Sequence, residues 1–484
     1  MPQAALDFFT MNQPLKSSVR VSVIALSSAA LATLSSPVDA APNVVTIGDS
    51  LTAEYDTIPD IPGFPDEATA YAQVTTNGWE SMSWVEVLAR LQKSYFNFGS
   101  SRTLSAPWNV PRLSGYEYNW GIPGIEAGQY EDFVSSTVLQ NFAYFTLRQP
   151  LEDQLKNRAN RVVIWLGGNE FRANYGKLYD GSDSDKLIDG LIDDLGRIVD
   201  FVKKKNSRVQ IVIANIPDLG ATPSKKTAHP DAAKRALVSA ATRTANTRIA
   251  QLATKKGIGL ANVHALTDAL VRNVPQFIGA VQLVNTKDAN NNPRYAFTRD
   301  GLHPNTCLQI FNARSIGAAF NTKYRAGIPT ITDAQALTLL GISPHQPFYD
   351  WLTANGITDK SFIADADSDG VPALAEFMFG LKPKVSDADD LPATIGGPVA
   401  GIVGTKSVNV TPLAGRVRYA RVSLQYSVGA TWKDVPAKNV VSKANGAFVA
   451  VVPPTSGITN LRLKVATIPP SGATTTVAAY VRFE

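Results

Sequence analysis

Cysteine is almost missing from this chain. Of 484 residues only Cys307 carries a thiol, so no intrachain disulfide can form and folding must rest on buried apolar surface. Histidine is scarce too, at four residues, which leaves His229, His264, His303 and His345 as the whole supply of imidazole for proton transfer or metal ligation. Past residue 40 no apolar run approaches the roughly 20 residues of a membrane helix, so no integral membrane segment is expected. A serine flanked by glycines two residues either side, a phosphate-binding P-loop and a dinucleotide glycine fingerprint are all absent, which removes the glycine-elbow hydrolases and the nucleotide-dependent classes. The excess of basic over acidic residues is small, 46 against 41, and scattered. "VKKKN" reads as a solvated helix end, so nucleic acid is not an expected partner.

What is present describes a globular protein of two or three domains, with 44% apolar and 18% charged residues. Lys16 and Arg20 precede the apolar run "VSVIALSSAALATL" and the small-residue site "VDAAP", the order of an export signal. Residues 1–40 are therefore expected to be a signal peptide and the mature protein to be secreted or periplasmic, or held at the cell surface.

From 41 to 326 the short β-branched runs "NVVTIG", "YFNFG", "RVVIWLGG", "RVQIVIANIP" and "IGLANVH" alternate with amphipathic stretches such as "SDKLIDGLIDDLGRIVDFVKKK". Continuous apolar strands separated by long helices predict an α/β domain with a parallel sheet covered on both faces, whose ligand crevice lies at the carboxyl ends of the strands. Residues 327–390 read as a helical linker with an acidic loop. Residues 391–484 alternate in short runs and read as a small β-sandwich, a surface for glycan or cell-surface contact.

Serine catalysis needs a hydroxyl, an imidazole to take its proton, a group to orient that imidazole, and donors for an oxyanion. Only His303, in "RDGLHPN", has an acid three residues before it, Asp300. A carboxylate at that spacing can reach Nδ1 and leave Nε2 to act on a serine. Ser50 follows the run ending in "TIG", Asn169 follows "RVVIWLGG" with an amide able to donate, and Gly124 in "NWGIPGIEAG" can expose a backbone N–H.

With those four pieces in order, "GDSL" at 48–51, "NWGIPG" at 119–124, "GGNE" at 167–170 and "DGLH" at 300–303, the chain resembles the GDSL, or SGNH, hydrolases over about 43–325. The resemblance implies an SGNH-like, flavodoxin-like three-layer fold. It also implies Ser50 as nucleophile, His303 as base, Asp300 as its partner, and an oxyanion hole made by the Ser50 and Gly124 amides with the Asn169 side chain. Two positions depart from the family's pattern: Glu170 stands where Asp is usual, and Gly124 is followed by Ile125 and Glu126. Neither touches the donors. Asp49 is expected to shape the turn, and His229, His264 and His345 to be surface or packing residues.

"DADSDGVPALAE" fits the calcium loop of an EF-hand at every ligand position: Asp365, Asp367, Asp369, the Val371 carbonyl and Glu376, with glycine at position 6. Pro372 at loop position 8 lacks the N–H that a pairing hand would use, so a structural Ca²⁺ is expected and a sensor is not; catalysis calls for no cofactor. Trp108, Tyr116, Tyr118 and Trp120 lie on presumed cleft loops as candidate substrate contacts.

The function expected from these observations is a secreted serine esterase, with carbohydrate O-acetyl esters first. Lipase, lysophospholipase or thioesterase activity is the alternative within the class. Outside it stands a non-catalytic carbohydrate- or surface-binding protein built on the same scaffold.

Overall fold

The computed structural model describes residues 40–55, 81–103, 114–135, 142–404, 406–468 and 478–483. The expected signal segment and Trp108 lie outside them. Among the described residues no helix is long and apolar enough to cross a membrane.

The parallel sheet is built from β1 (Val44–Gly48), β2 (Asn119–Gly121), β3 (Arg161–Trp165), β4 (Gln210–Ala214) and β5 (Gly259–Ala261), in the order β2-β1-β3-β4-β5. Every pairing along it is parallel. Side-chain alternation assigns the two faces. Val44, Val163, Trp165, Val212 and Ala214 join one buried cluster, whereas Val45, Ile47, Val162, Ile164, Ile211 and Ile213 join another.

The first face is covered by α1 (Trp84–Leu91), which opens on a Ser83–Glu86 capping box. The second is covered by α2 (Ala127–Ser135), α3 (Phe142–Asn157), and further helices that follow α4 (Gly168–Ala173). Of these, α5 (Asp185–Lys205) buries Ile188, Leu191, Leu195, Ile198, Val199 and Val202 at helical spacing and ends in three lysines that suit its negative C-terminal dipole. Next, α6 (Ala232–Lys256) starts on the Asp231 side chain, which accepts from Ala233 and Lys234 N–H, and stops at Gly257 with φ of 66°. The chain then returns to the first face with α7 (Thr306–Tyr324) and α8 (Asp333–Leu339).

One expected strand is corrected. "YFNFG" supplies only an isolated bridge, Asn43 to Asn97, and the place beside β1 is taken by Asn119–Gly121. Phe96 and Phe98 both turn into the core on the α1 side, and Gly99 takes φ of 80°, which ends the extended run.

Farther along, α9 (Gln346–Ala354) and α10 (Ala373–Phe379) precede two antiparallel sheets. Strands β6 (Ala393–Gly396), β7 (Lys406–Val410), β8 (Ala420–Val428), β9 (Thr431–Asp434), β10 (Val440–Ser442), β11 (Phe448–Val452), β12 (Ile458–Thr467) and β13 (Ala478–Phe483) pair as β6-β7-β11-β10 and β9-β8-β12-β13. Val408 and Ala450 from one sheet, Leu424 and Leu463 from the other, and Phe348 and Met378 from the two helices share one buried cluster. The residues read as a linker therefore contribute to the same core as the strands that follow them.

Candidate active site

The strand order reverses at β1, so the turns leaving β1 and β3 flank a crevice at their carboxyl ends. Asp49 shapes the first turn. Its carboxylate accepts from Leu51 N–H at 2.8 Å and its carbonyl from Thr52 and Ala53 N–H at 3.0 and 3.1 Å. Burial, opposed by the Leu51 bond and the His303 charge, pushes the Asp49 carboxyl up to about 6. Asn119 of β2 ties this turn to the sheet: its amide donates to Thr52 O at 2.9 Å and its oxygen bonds Thr46 Oγ1 and Gly121 N–H.

Ser50, at the head of the turn, places Oγ 2.8 Å from His303 Nε2, and His303 Nδ1 lies 2.5 Å from Asp300 Oδ2. These three groups come from the loops after β1 and before α7, 253 residues apart in sequence for the serine–histidine pair. Asp300 is held in one orientation. Its Oδ1 accepts from Leu302 N–H, His303 N–H and the Thr298 hydroxyl at 2.8, 3.1 and 2.7 Å. Burial opposes its charge, but His303 and these donors outweigh burial and hold the carboxyl well below the usual range. With Nδ1–H committed to Asp300, Nε2 is the acceptor for the Ser50 hydroxyl.

Asn169 and Glu170 open α4 directly after β3. The Asn169 amide donates to Ile125 O at 2.9 Å, and Glu170 Oε1 accepts from Ala127 N–H at 2.5 Å. The loop carrying Gly124, whose φ is 78°, is thus tied to the start of α4 by two bonds just after that glycine. One amide hydrogen of Asn169 fixes the side chain, and its second remains as a donor. Burial, reinforced by the charges of Glu126 and Asp49 and opposed by the Ala127 bond, raises the Glu170 carboxyl from 4.5 to about 7.

The folded protein therefore binds this proton more tightly than the unfolded chain does. Stability falls as pH rises through 4.5 to about 7 and changes no further above that window. Glu170→Gln keeps an oxygen for Ala127 and removes the charge. Urea unfolding at pH 5 and pH 8 should show the variant gaining on the wild type by about 3 kcal/mol across that interval; an unchanged difference would show that the Glu170 carboxyl is not held protonated.

Tyr55 escaped the sequence reading although it lies in the same stretch as Ser50. Its ring meets His303 edge-on at 6.2 Å, its hydroxyl donates to Pro304 O at 2.9 Å, and Gln309 Nε2 donates to it at 2.7 Å. It braces the histidine loop against α7. The expectation that Tyr118 and Trp120 contact substrate is corrected: both are buried in the second core cluster, with Trp120 Nε1 bonded to Gln154. Tyr116 packs on the first cluster beside Phe98, and none of the three lines the pocket. The other histidines pack elsewhere, His229 between Tyr175 and Tyr179 and His345 on Tyr419.

Ser50, His303 and Asn169 border a cavity of about 60 Å³ whose apolar wall includes Leu51, Trp165, Leu219, Phe297 and Leu308 and whose polar atoms include those of Arg172, Thr222 and Thr267. A serine hydroxyl bonded to an oriented imidazole, beside amide donors and an apolar cavity, is an arrangement able to attack an acyl carbonyl.

The sequence model of the family described as GDSL-like Lipase/Acylhydrolase matches residues 44–310, more than half of the chain. The chain belongs to this family. It is a carboxylic ester hydrolase with the SGNH-type α/β fold. Among solved structures, this hydrolase is similar to a family 3 carbohydrate esterase of Clostridium thermocellum, at 15% identity over 60% of this chain and 100% of that one with a TM-score of 0.31. An extracellular lipase from Streptomyces rimosus gives 14%, 60%, 98% and 0.30. A carbohydrate esterase family 3 structure from Talaromyces cellulolyticus gives 16%, 58%, 97% and 0.29. No curated protein matches the sequence.

Proposed function

We propose that the chain is an exported serine esterase that removes short acyl groups, acetyl first, from carbohydrate, with Ser50 as nucleophile. The observation that carries the mechanism is the continuous relay Ser50 Oγ to His303 Nε2 at 2.8 Å and His303 Nδ1 to Asp300 at 2.5 Å. Ser50 Oγ attacks the ester carbonyl carbon as its proton passes to Nε2. The oxyanion is met by the Ser50 and Gly124 amides and the second Asn169 N–H. Collapse expels the alcohol, which takes the proton from His303 and leaves an acyl-serine. Water then gives a proton to His303 and attacks the acyl carbon, the acid departs, and Ser50 regains its hydrogen.

The short acyl group is supported by the size of the cavity. About 60 Å³ holds roughly four to six waters at ~10–15 Å³ each, enough for a few carbon atoms. Its apolar wall favours a second reading, a longer lipid acyl chain. Export is supported by the charged, apolar and small-residue order of residues 16–42. The two antiparallel sheets sharing a core after residue 391 support a β-sandwich serving as a contact surface.

A panel of acetylated sugars against aryl esters of increasing chain length tests the substrate. kcat/KM should be highest for acetyl and fall steeply beyond butyryl. A maximum at eight carbons or more would replace the acetyl reading with the lipid one.

A further inference from the structure

No residue of the acidic loop 365–376 lines the cavity beside Ser50, and the ester hydrolase reading leaves the loop without a role. Asp365, Asp367 and Asp369 bring carboxylate oxygens within 4.8 Å of one another. They also accept the loop's own N–H groups: Gly370 N–H to Asp365 at 3.0 Å, Asp369 N–H to Asp367 at 3.3 Å and Val371 N–H to Asp369 at 2.8 Å. Those bonds alone would describe a turn. Glu376 demands more. It is 1% exposed on α10, and neither of its oxygens has a hydrogen-bond partner. The charges acting on it are those of Asp367, Asp369, Asp387 and Asp365, all of its own sign. A buried, unbonded carboxylate facing like charges is costly unless a cation joins it.

Asp387, eleven residues beyond the end of the loop, belongs to the same group. Its N–H donates to Asp369 Oδ2 at 3.0 Å, its Oδ2 accepts from Lys382 N–H at 3.0 Å, and its Oδ1 is buried without a partner, as is Asp367 Oδ2. Pro372, which cannot serve a pairing strand, is instead the N-cap of α10, and its carbonyl accepts from Ala375 and Glu376 N–H.

We propose that one Ca²⁺ binds Asp365, Asp367, Asp369, the Val371 carbonyl and Glu376, with Asp387 as a further ligand from outside the loop. An all-oxygen set with several carboxylates and a glutamate whose two oxygens are both unbonded suits Ca²⁺ over Mg²⁺, which keeps most of its waters. Because Asp387 immediately precedes the turn into β6, the ion fastens the loop and α10 to the start of the antiparallel sheets. Its role is structural and separate from ester hydrolysis.

The full chain, stripped with a chelating resin, should bind one Ca²⁺ in titration calorimetry and gain about 5 °C or more in Tm at hundredfold excess over Kd. Mg²⁺ should give no comparable gain, and kcat should stay unchanged. Asp387→Asn should weaken Kd by roughly tenfold or more, since affinity follows ligand charge. Glu376→Gln, a near-isosteric loss of charge, should melt above the stripped wild type while losing the Ca²⁺ response. Absence of Ca²⁺ binding, or an equal response to Mg²⁺, would overturn the site. An Asp387→Asn affinity equal to wild type would overturn the extra ligand, and a Glu376→Gln chain less stable than the stripped wild type would overturn the charge argument.

Discussion

Ser50→Ala is expected to lower kcat for an aryl acetate by roughly 10⁶ and to leave a soluble, folded protein. The substitution removes one oxygen at the end of a turn already fixed by Asp49 and Asn119, so stability should change little. Catalysis has no substitute for that oxygen: His303 Nε2 loses its partner at 2.8 Å, and the reaction falls back on oxyanion donors acting on attack by water. In serine hydrolases that residue of catalysis is about 10³–10⁴ over the uncatalysed rate. The measurement is kcat on protein whose circular dichroism and Tm match wild type. Turnover within tenfold of wild type would remove Ser50 from the mechanism.

Asp300→Asn should cost about 10⁴ in kcat for a reason that can be read from the bonds. Oδ1 accepts from two backbone N–H groups, those of Leu302 and His303, so the amide oxygen of an asparagine must take that place. The amide NH₂ is then forced into the Oδ2 position facing His303 Nδ1. Two donors cannot share a hydrogen bond, so Nδ1 becomes the acceptor and the ring proton moves to Nε2, where it blocks transfer from Ser50.

The same carboxylate contributes stability, because its folded pKa lies well below its ordinary 3.8. That contribution is fully present above 3.8 and is lost as pH falls toward the folded value. Asp300→Asn should therefore be less stable than wild type at pH 7, with the gap narrowing in acid. A kcat within tenfold of wild type at neutral pH would show that Asp300 does not set the tautomer.

The relay was legible in the sequence because its residue types are scarce. With four histidines in the chain, the single one preceded by an acid at three residues was quickly found, and a turn at that spacing can only bring the two together locally. The three-layer fold was legible from strand runs whose alternate residues feed two separate clusters, as Val162 and Val163 do.

What escaped depends on contacts between distant segments. Tyr55 looks like any aromatic beside a loop until α7 delivers Gln309 and Pro304 to its hydroxyl. Glu170 looks like an exposed helix start, and its burial follows from the Gly124 loop folding over it through Ala127. Tyr118 and Trp120 were read as aromatics of a cleft loop; Trp120 instead lies on the edge strand β2 and Tyr118 just before it, and both side chains pack into the second core cluster. "YFNFG" has strand composition, but Gly99 ends its extension where "NWG" takes over the pairing with β1.

Reaction of the full-length protein with a fluorophosphonate, followed by peptide mass mapping, tests the central claim most directly, because the reagent reports only a serine whose hydroxyl is activated. The arrangement of Ser50, His303 and Asp300 predicts one phosphonyl adduct per chain, on Ser50, formed in step with the loss of esterase activity. An adduct on any other residue, or complete inactivation with Ser50 unmodified, would contradict it.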